Sequence, residues 1–412
     1  MGTERPTILQ IIPRLDAGGA ELAVVEIAAA VTGAGGRALV LAELGRLAPR
    51  VEAAGGEVTA FPAATKNPAR MLSNASAIAR FIAEEGVDLV HARSRAPAWS
   101  ALIAARRTGV PFVTTYHGAY QEAGPIKRLY NSVMARGDVV IANSRYTARL
   151  IAERYATPEE RIAVIPRGVD TETFDPGKVS TERVAALRRR WGIEPSTRVI
   201  LHAARLTSWK GQNVVIDAAG QLATAGRLGP AVVILAGDAQ GRDDYQEGLR
   251  AQIERLGLKD RVRLVGHVED VAAAYLTAHV TIVASTGPEA FGRSAIEAAA
   301  MQCPVIATNI GAPPETVRAE PAVPAEATTG WLVAPGDARA LAARLAEALD
   351  LPQEARAALG ARARRHVLAQ FATQALQRRT LAVYDRLLGT VLERHFLERS
   401  GQRNPPLKTG QP

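Results

Sequence analysis

Arg205 and Lys210 stand five residues apart in the stretch Ala204-Arg205-Leu206-Thr207-Ser208-Trp209-Lys210-Gly211. Arginine offers a fork of N–H donors and lysine a point charge, so the pair could grip a diphosphate. A solvated basic loop is the other reading. Glu289 and Glu297 lie eight residues apart in Pro288-Glu289-Ala290-Phe291-Gly292-Arg293-Ser294-Ala295-Ile296-Glu297. Carboxylates accept hydrogen bonds from sugar hydroxyls, so these two could hold a hexose at one end and a ribose at the other. Gly292 frees the backbone between them, and Ser294 can cap the helix that opens there, aiming amide donors outward. Two surface glutamates are the plainer alternative. The glycines of Asp16-Ala17-Gly18-Gly19-Ala20-Glu21 could let a phosphate approach a helix start, or could simply make a tight turn. Their spacing is not the G-x-G-x-x-G dinucleotide fingerprint.

These clusters need elements to hold them. Short apolar runs at residues 7–12, 38–41, 58–61, 89–91, 112–116 and 139–142 read as strands, with helix-length stretches between them, the first at about 20–31. The rhythm restarts at 199–203, 232–236, 262–265, 280–284 and 305–307, with 331–333 as one more candidate. Alternating strands and helices predict parallel sheets covered on both faces. The expected fold class is therefore α/β, two doubly wound halves joined near residues 166–195, where Asp170, Pro176 and Gly177 interrupt the pattern. Each of the three clusters falls on a loop between a strand and a helix.

Composition narrows the classes. The chain has 412 residues, 47% of them hydrophobic and 22% charged, which excludes wholesale disorder. The single Cys303 excludes an intramolecular disulfide and a cysteine-rich metal site. No Asp-x-Asp occurs, and Asp243-Asp244 is the nearest acidic pair, so no metal is expected. Aromatic residues at 5% speak against base-stacking platforms, and no nucleic-acid motif is present. The net charge is +9, from six Lys and 44 Arg against 41 acids. Between His91 and Leu150 nine basic residues face only Glu122 and Asp138. Such a surplus favours an anionic partner, although a merely solvated basic face would look the same. No run of 18 apolar residues appears and the N-terminus lacks a signal-peptide pattern, so a cytoplasmic protein is expected, with a peripheral contact at the inner face of an anionic membrane.

Taken together, the clusters resemble the retaining GT-B glycosyltransferases of family 4, the "glycosyl transferases group 1" class. The resemblance rests on Gly18-Gly19-Ala20-Glu21, on Arg205 with Lys210, and on Glu289-x7-Glu297 followed by Ala298-Ala299-Ala300-Met301-Gln302-Cys303-Pro304-Val305-Ile306-Ala307. Asn143-Ser144 and Ile165-Pro166-Arg167-Gly168-Val169-Asp170-x3-Phe174-x-Pro176 extend it over almost the whole chain. Two positions depart from the family pattern: Ala290 stands where Gly is usual, and Arg167 where Asn is usual. Arg167 is expected in the linker, away from the transferred sugar.

The resemblance implies a GT-B fold, two Rossmann-like domains facing across a cleft. Residues 1–175 would bind the acceptor and 176–365 the nucleotide-sugar; residues 366–395 would form a helix returning to the first domain, and 396–412 a flexible tail. It implies a UDP- or GDP-sugar as donor and no cofactor. Arg205 and Lys210 would bind the diphosphate, Glu297 the ribose and Glu289 the transferred sugar. Phe291 and Gly292 would offer backbone amides, and Gly18 and Gly19 would let the first half close over the diphosphate. His117, in Thr114-Thr115-Tyr116-His117-Gly118, would lie near the donor sugar. Arg93, Arg95, Lys127 and Arg128 are the candidates for an anionic acceptor, an envelope glycolipid or polysaccharide such as a lipopolysaccharide core. A nucleotide-sugar epimerase of the same architecture, or a non-catalytic sugar-nucleotide-binding protein, is the competing reading.

Overall fold

The computed structural model describes residues 5–16, 18–120 and 124–401. It contains two compact units: Gly168–Ala372, and the segments on either side of it, up to Arg167 and from Thr373.

The first unit is a parallel sheet of β1 (Thr7–Arg14), β2 (Arg37–Glu43), β3 (Glu57–Ala60), β4 (Leu89–Ala92), β5 (Phe112–Tyr116), β6 (Val139–Ala142) and β7 (Ile162–Val164), in the order β3-β2-β1-β4-β5-β6-β7. Ile8 of β1 pairs with Ala38 of β2 on one side and Leu89 of β4 on the other, and the strand order turns there. Ile8 and Ile12 enter one hydrophobic cluster, Leu9 and Ile11 the other, because successive side chains leave opposite faces. All four are at most 1% exposed, and burying each contributes about 1.5–3 kcal/mol. Burial on both faces explains why these strands are short apolar runs.

The chain returns to this unit at its end. Helices Thr373–Leu388 and Leu392–Arg399 pack on helix Gly19–Gly33. The buried Tyr384 hydroxyl meets Nδ1 of His91 at 2.6 Å, and Gln377 Nε2 donates to the Glu26 carbonyl at 2.9 Å.

The second unit repeats the plan with β8 (Val199–Ala203), β9 (Val232–Ala236), β10 (Val262–Gly266), β11 (Val280–Val283), β12 (Val305–Thr308) and β13 (Gly330–Val333), in the order β10-β9-β8-β11-β12-β13. All neighbours are parallel, and the order turns between β8 and β11. In doubly wound sheets, ligands bind beyond the carboxyl ends of the strands at that turning point. The Arg205/Lys210 loop follows β8 and the Glu289 loop follows β11.

Some boundaries differ from the sequence reading. Residues 168–175 go with the second unit, because Val169 N–H donates to the Phe371 carbonyl at 2.8 Å and Val169 bridges Ala372. Helix Gln353–Gln370 stays in the second unit too, so the return begins at Thr373 rather than 366. The expected tail from 396 is helical through Arg399, and its remainder from 402 lies outside the described residues. Strand β7 was not expected: it has three residues, one of them the 39% exposed Val164, too short to show a pattern.

Candidate active site

Two close backbone approaches build the floor of the second unit's site. A Cβ on Gly211 would sit 2.0 Å from the Ala284 carbonyl oxygen, and one on Gly237 would sit 1.9 Å from that of Ala204. Gly211 also has φ +75°, so glycine alone serves between the short helical turn Ser208–Lys210 and helix Gln212–Thr224. Gln212 Nε2 donates to the Arg205 carbonyl at 2.9 Å and pins the loop. The Arg205 side chain is exposed, and its guanidinium has no protein partner among the described residues.

Lys210 is already engaged. Its ammonium pairs with Glu289 Oε1 and lies 4.3 Å from the centre of the Trp209 ring. Ser285 Oγ donates to the same Glu289 oxygen at 2.6 Å. Glu289 is thus a buried carboxylate, 6% exposed, charge-balanced by the lysine across the β8–β11 turning point. Its backbone is set by Gly311: Glu289 bridges Gly311, and Ala312 N–H donates to the Glu289 carbonyl at 2.9 Å. Beneath the pair, His202 Nδ1–H donates to the Ile282 carbonyl at 2.9 Å. Burial holds this imidazole down to about 4, so it is neutral at pH 7.

Glu297 is held differently. Tyr275 OH donates to its Oε2 at 3.2 Å and Arg293 Nε to its Oε1 at 3.3 Å. Burial and the Glu297 charge push the Tyr275 phenol well above its ordinary value. Helix Arg293–Ala300 is capped by Gly292, at φ +83°, and not by Ser294, whose hydroxyl instead donates to the Ala203 carbonyl at 3.0 Å. That bond ties the helix to the end of β8. Phe291 is 4% exposed and stacks edge-on against Phe371, with centroids 5.7 Å apart. It anchors the loop through its ring, as a packing residue.

The first unit carries its own cluster. Gly18 has φ +144° and precedes helix Gly19–Gly33. Arg167, expected in a linker away from the chemistry, is 6% exposed and reaches both Gly19 and His117. One guanidinium nitrogen donates to the Gly19 carbonyl, and Nη2 lies 2.5 Å from His117 Nδ1. His117 Nε2 is buried with no hydrogen-bond partner among the described residues. Burial first, then the charges of Arg167 and Arg93 and the neighbouring His91, hold His117 well below its ordinary value.

The acceptor candidates separate. Arg93 is 2% exposed and closes its fork on Gln10 Oε1, with Nε at 2.9 Å, so it is a buried structural arginine and not an exposed cation. Arg95 lies over the Tyr120 ring, 4.0 Å from its centre, and donates to Asn131 at 2.6 Å. Lys127 and Arg128 are exposed on helix Pro125–Ser132. Sequence reading missed Arg167, Ser285, Tyr275 and Gly311; only Arg167 left a signal, as a departure from the family pattern. Among the described residues no helix is long and apolar enough to cross a membrane, and no three potential metal ligands cluster.

Comparisons with known proteins match both units. Residues 17–173 match the family described as Glycosyltransferase Family 4, and residues 184–366 match Glycosyl transferases group 1. A D-inositol 3-phosphate glycosyltransferase of Segniliparus rotundus is 31% identical over 61% of this chain and 56% of its own length. The chain thus spans a little over half the length of the first curated relatives it matches. A solved glycosyltransferase of Rickettsia africae is 32% identical with a TM-score of 0.85, over 94% of this chain and 100% of that one. The Anabaena protein Alr3699/HepE, solved with UDP-glucose, is 26% identical with a TM-score of 0.79, over 92% of this chain and 100% of its own.

Proposed function

The chain belongs to the family 4 glycosyltransferases of GT-B fold, and from that membership we propose that it is an enzyme moving a hexose-type sugar from a nucleotide diphosphate sugar to an anionic acceptor, with retention of configuration and without a metal. One observation carries the reading. At the turning point of the second sheet an exposed Arg205 guanidinium, without a protein partner among the described residues, stands on the same loop as Lys210, which pairs with Glu289. That is a preorganised cationic site for a leaving diphosphate.

In this reading the bond between sugar C1 and the phosphate oxygen breaks, and the leaving nucleoside diphosphate takes the electron pair. Arg205 and Lys210 stabilise the charge that develops there. The acceptor hydroxyl forms the new bond to C1 on the face the phosphate leaves, and its proton passes to a phosphate oxygen. Glu289 retains Oε2 for a sugar hydroxyl while Lys210 and Ser285 share Oε1. Glu297, oriented by Tyr275 and Arg293, accepts from the ribose. His117 is assigned to the donor sugar in this reading from its place in the family pattern. The complex of the Anabaena neighbour supports a UDP-sugar as donor.

For the acceptor we propose an envelope glycolipid or polysaccharide, such as a lipopolysaccharide core, met at the inner membrane face in the cytoplasm. The inositol phosphate in the name of the Segniliparus relative supports a negative acceptor charge. Ile126 and Leu129, 84% and 58% exposed beside Lys127 and Arg128, support contact with an anionic membrane surface. Incubating the protein with UDP-glucose, GDP-mannose and ADP-glucose, with and without lipopolysaccharide core, and measuring free nucleoside diphosphate tests the reading. Release from one donor, stimulated by the acceptor, is expected. Sugar interconversion without release would favour an epimerase, and no turnover with any donor would favour a binding protein.

A further inference from the structure

The tightest polar contact around His117 involves an arginine that the transferase reading leaves without a task. A guanidinium has five N–H donors and no acceptor. Arg167 Nη2 lies 2.5 Å from His117 Nδ1, so Nδ1 must present its lone pair. In a neutral imidazole the proton then sits on Nε2. That nitrogen is buried and has no partner among the described residues. A buried donor left unpaired is costly, and such groups mark places where a partner arrives.

We propose that Arg167 is a positioning residue: it locks His117 as the Nε2–H tautomer, so that His117 offers one fixed hydrogen-bond donor, and no base, to the sugar of the donor substrate. The sugar half of this statement rests on the transferase reading; the lock itself does not.

The surroundings favour the neutral ring. The charges acting on it are Arg167, from the segment after β7, and Arg93, from the end of β4, with His91 of β4 beside them. Tyr116 precedes it at the end of β5, with its ring 4.5 Å from that of Tyr120 in the loop that follows, and the Gly19 end of helix Gly19–Gly33 is tied in through Arg167. Two cations disfavour a third proton nearby, and burial adds to this. Arg167 itself is braced, since another of its nitrogens donates to the Gly19 carbonyl. A brace at the helix start and a bond to the ring fix the imidazole plane as well as its proton.

The test reads the tautomer directly. Long-range proton–nitrogen spectra of the full chain with 15N-histidine distinguish the two tautomers and the imidazolium, and His117→Gln assigns the signal. In the free wild-type protein His117 is expected as Nε2–H and unchanged from pH 8 to pH 5. In Arg167→Ala it should mix tautomers and begin to titrate. Arg167→Lys keeps a donor with no acceptor, and should keep the tautomer; it also covers the case in which the alanine variant fails to fold. With UDP-glucose as probe, Arg167→Ala should lower kcat about tenfold or more while UDP binds within about twofold of wild type. An Nδ1–H tautomer in wild type, or an unchanged Nε2–H that still resists titration in folded Arg167→Ala, would overturn the lock and leave the transferase reading standing. A fixed tautomer in a protein that turns over no nucleotide-sugar would instead strike that reading and sustain the lock.

Discussion

Lys210 and Glu289 neutralise one another in an ion pair whose side chains are only 18% and 8% exposed. The two cations expected to act alike on a diphosphate therefore differ in what they do for the fold. Arg205 is exposed and pairs with nothing among the described residues, whereas removing Lys210 strands a buried carboxylate.

Arg205→Ala should leave stability within about 0.5 kcal/mol of wild type. Lys210→Ala should cost about 2–3 kcal/mol, and Lys210→Met with Glu289→Gln should recover part of that, because no charge is left unpaired. Urea unfolding of the three variants measures the contrast. In turnover, Arg205→Ala should still lose about 2–4 kcal/mol of transition-state stabilisation. Equal stabilities for Arg205→Ala and Lys210→Ala would show that the ion pair contributes nothing.

The two glutamates should separate on calorimetry. If Glu297 meets the ribose as proposed, Glu297→Gln should weaken UDP and UDP-glucose alike, by about 1–3 kcal/mol. Glu289→Gln should spare UDP and reduce turnover or sugar discrimination. Parallel losses of UDP affinity in both variants would count against the division of labour.

Gly311→Ala tests the support under Glu289. The backbone there has φ +83°, and a Cβ would lie 2.2 Å from the Glu289 carbonyl oxygen. Neither atom is the end of a flexible side chain, so the loop must move. We expect more than about 2 kcal/mol of destabilisation and loss of turnover. Normal melting and full activity would mean that Glu289 does not depend on this contact.

His202 sets a pH window. Its native value is held at about 4 by burial, while an unfolded histidine titrates near about 6.5. The unfolded state therefore binds a proton that the native state refuses. Its contribution to stability is intact above about pH 6.5 and is lost as pH falls toward 4, at up to about 1.4 kcal/mol per pH unit. Denaturant unfolding between pH 7.5 and 5 should show a shallower slope in His202→Gln than in wild type. Identical slopes would mean that His202 takes up its proton equally in both states.

The strands were legible because a sheet covered on both faces demands unbroken apolar runs, as in β9 (Val232–Ala236), whose five residues are all buried. The loops at β8 and β11 were legible because charged and glycine residues interrupt such runs at strand ends. The side-chain pairings were not legible. Arg167 meets His117 across 50 positions, and Lys210 meets Glu289 across 79, distances at which only the tertiary fold decides who is near whom. Arg93 looked like one more exposed cation in a basic window. Its burial follows from its place at the carboxyl end of β4, next to the strand that carries Gln10. Ser294 fits a helix cap by type, but Gly292 already occupies that position with the backbone angle needed, which frees the hydroxyl for Ala203.

The return of the chain to its first unit has a consequence for synthesis on the ribosome. The first sheet is complete at β7, yet Tyr384, Leu376 and Leu381, which cover it beside helix Gly19–Gly33, emerge only after all of Gly168–Ala372. At about 5–20 residues per second the nascent sheet waits roughly 10–40 s with that apolar face bare and His91 without its tyrosine. The second unit waits for nothing, since its two ends, Val169 and Ala372, lie side by side when Ala372 is added. The half made first should therefore be the half finished last, and the one that a trigger-factor-type chaperone holds longest during elongation.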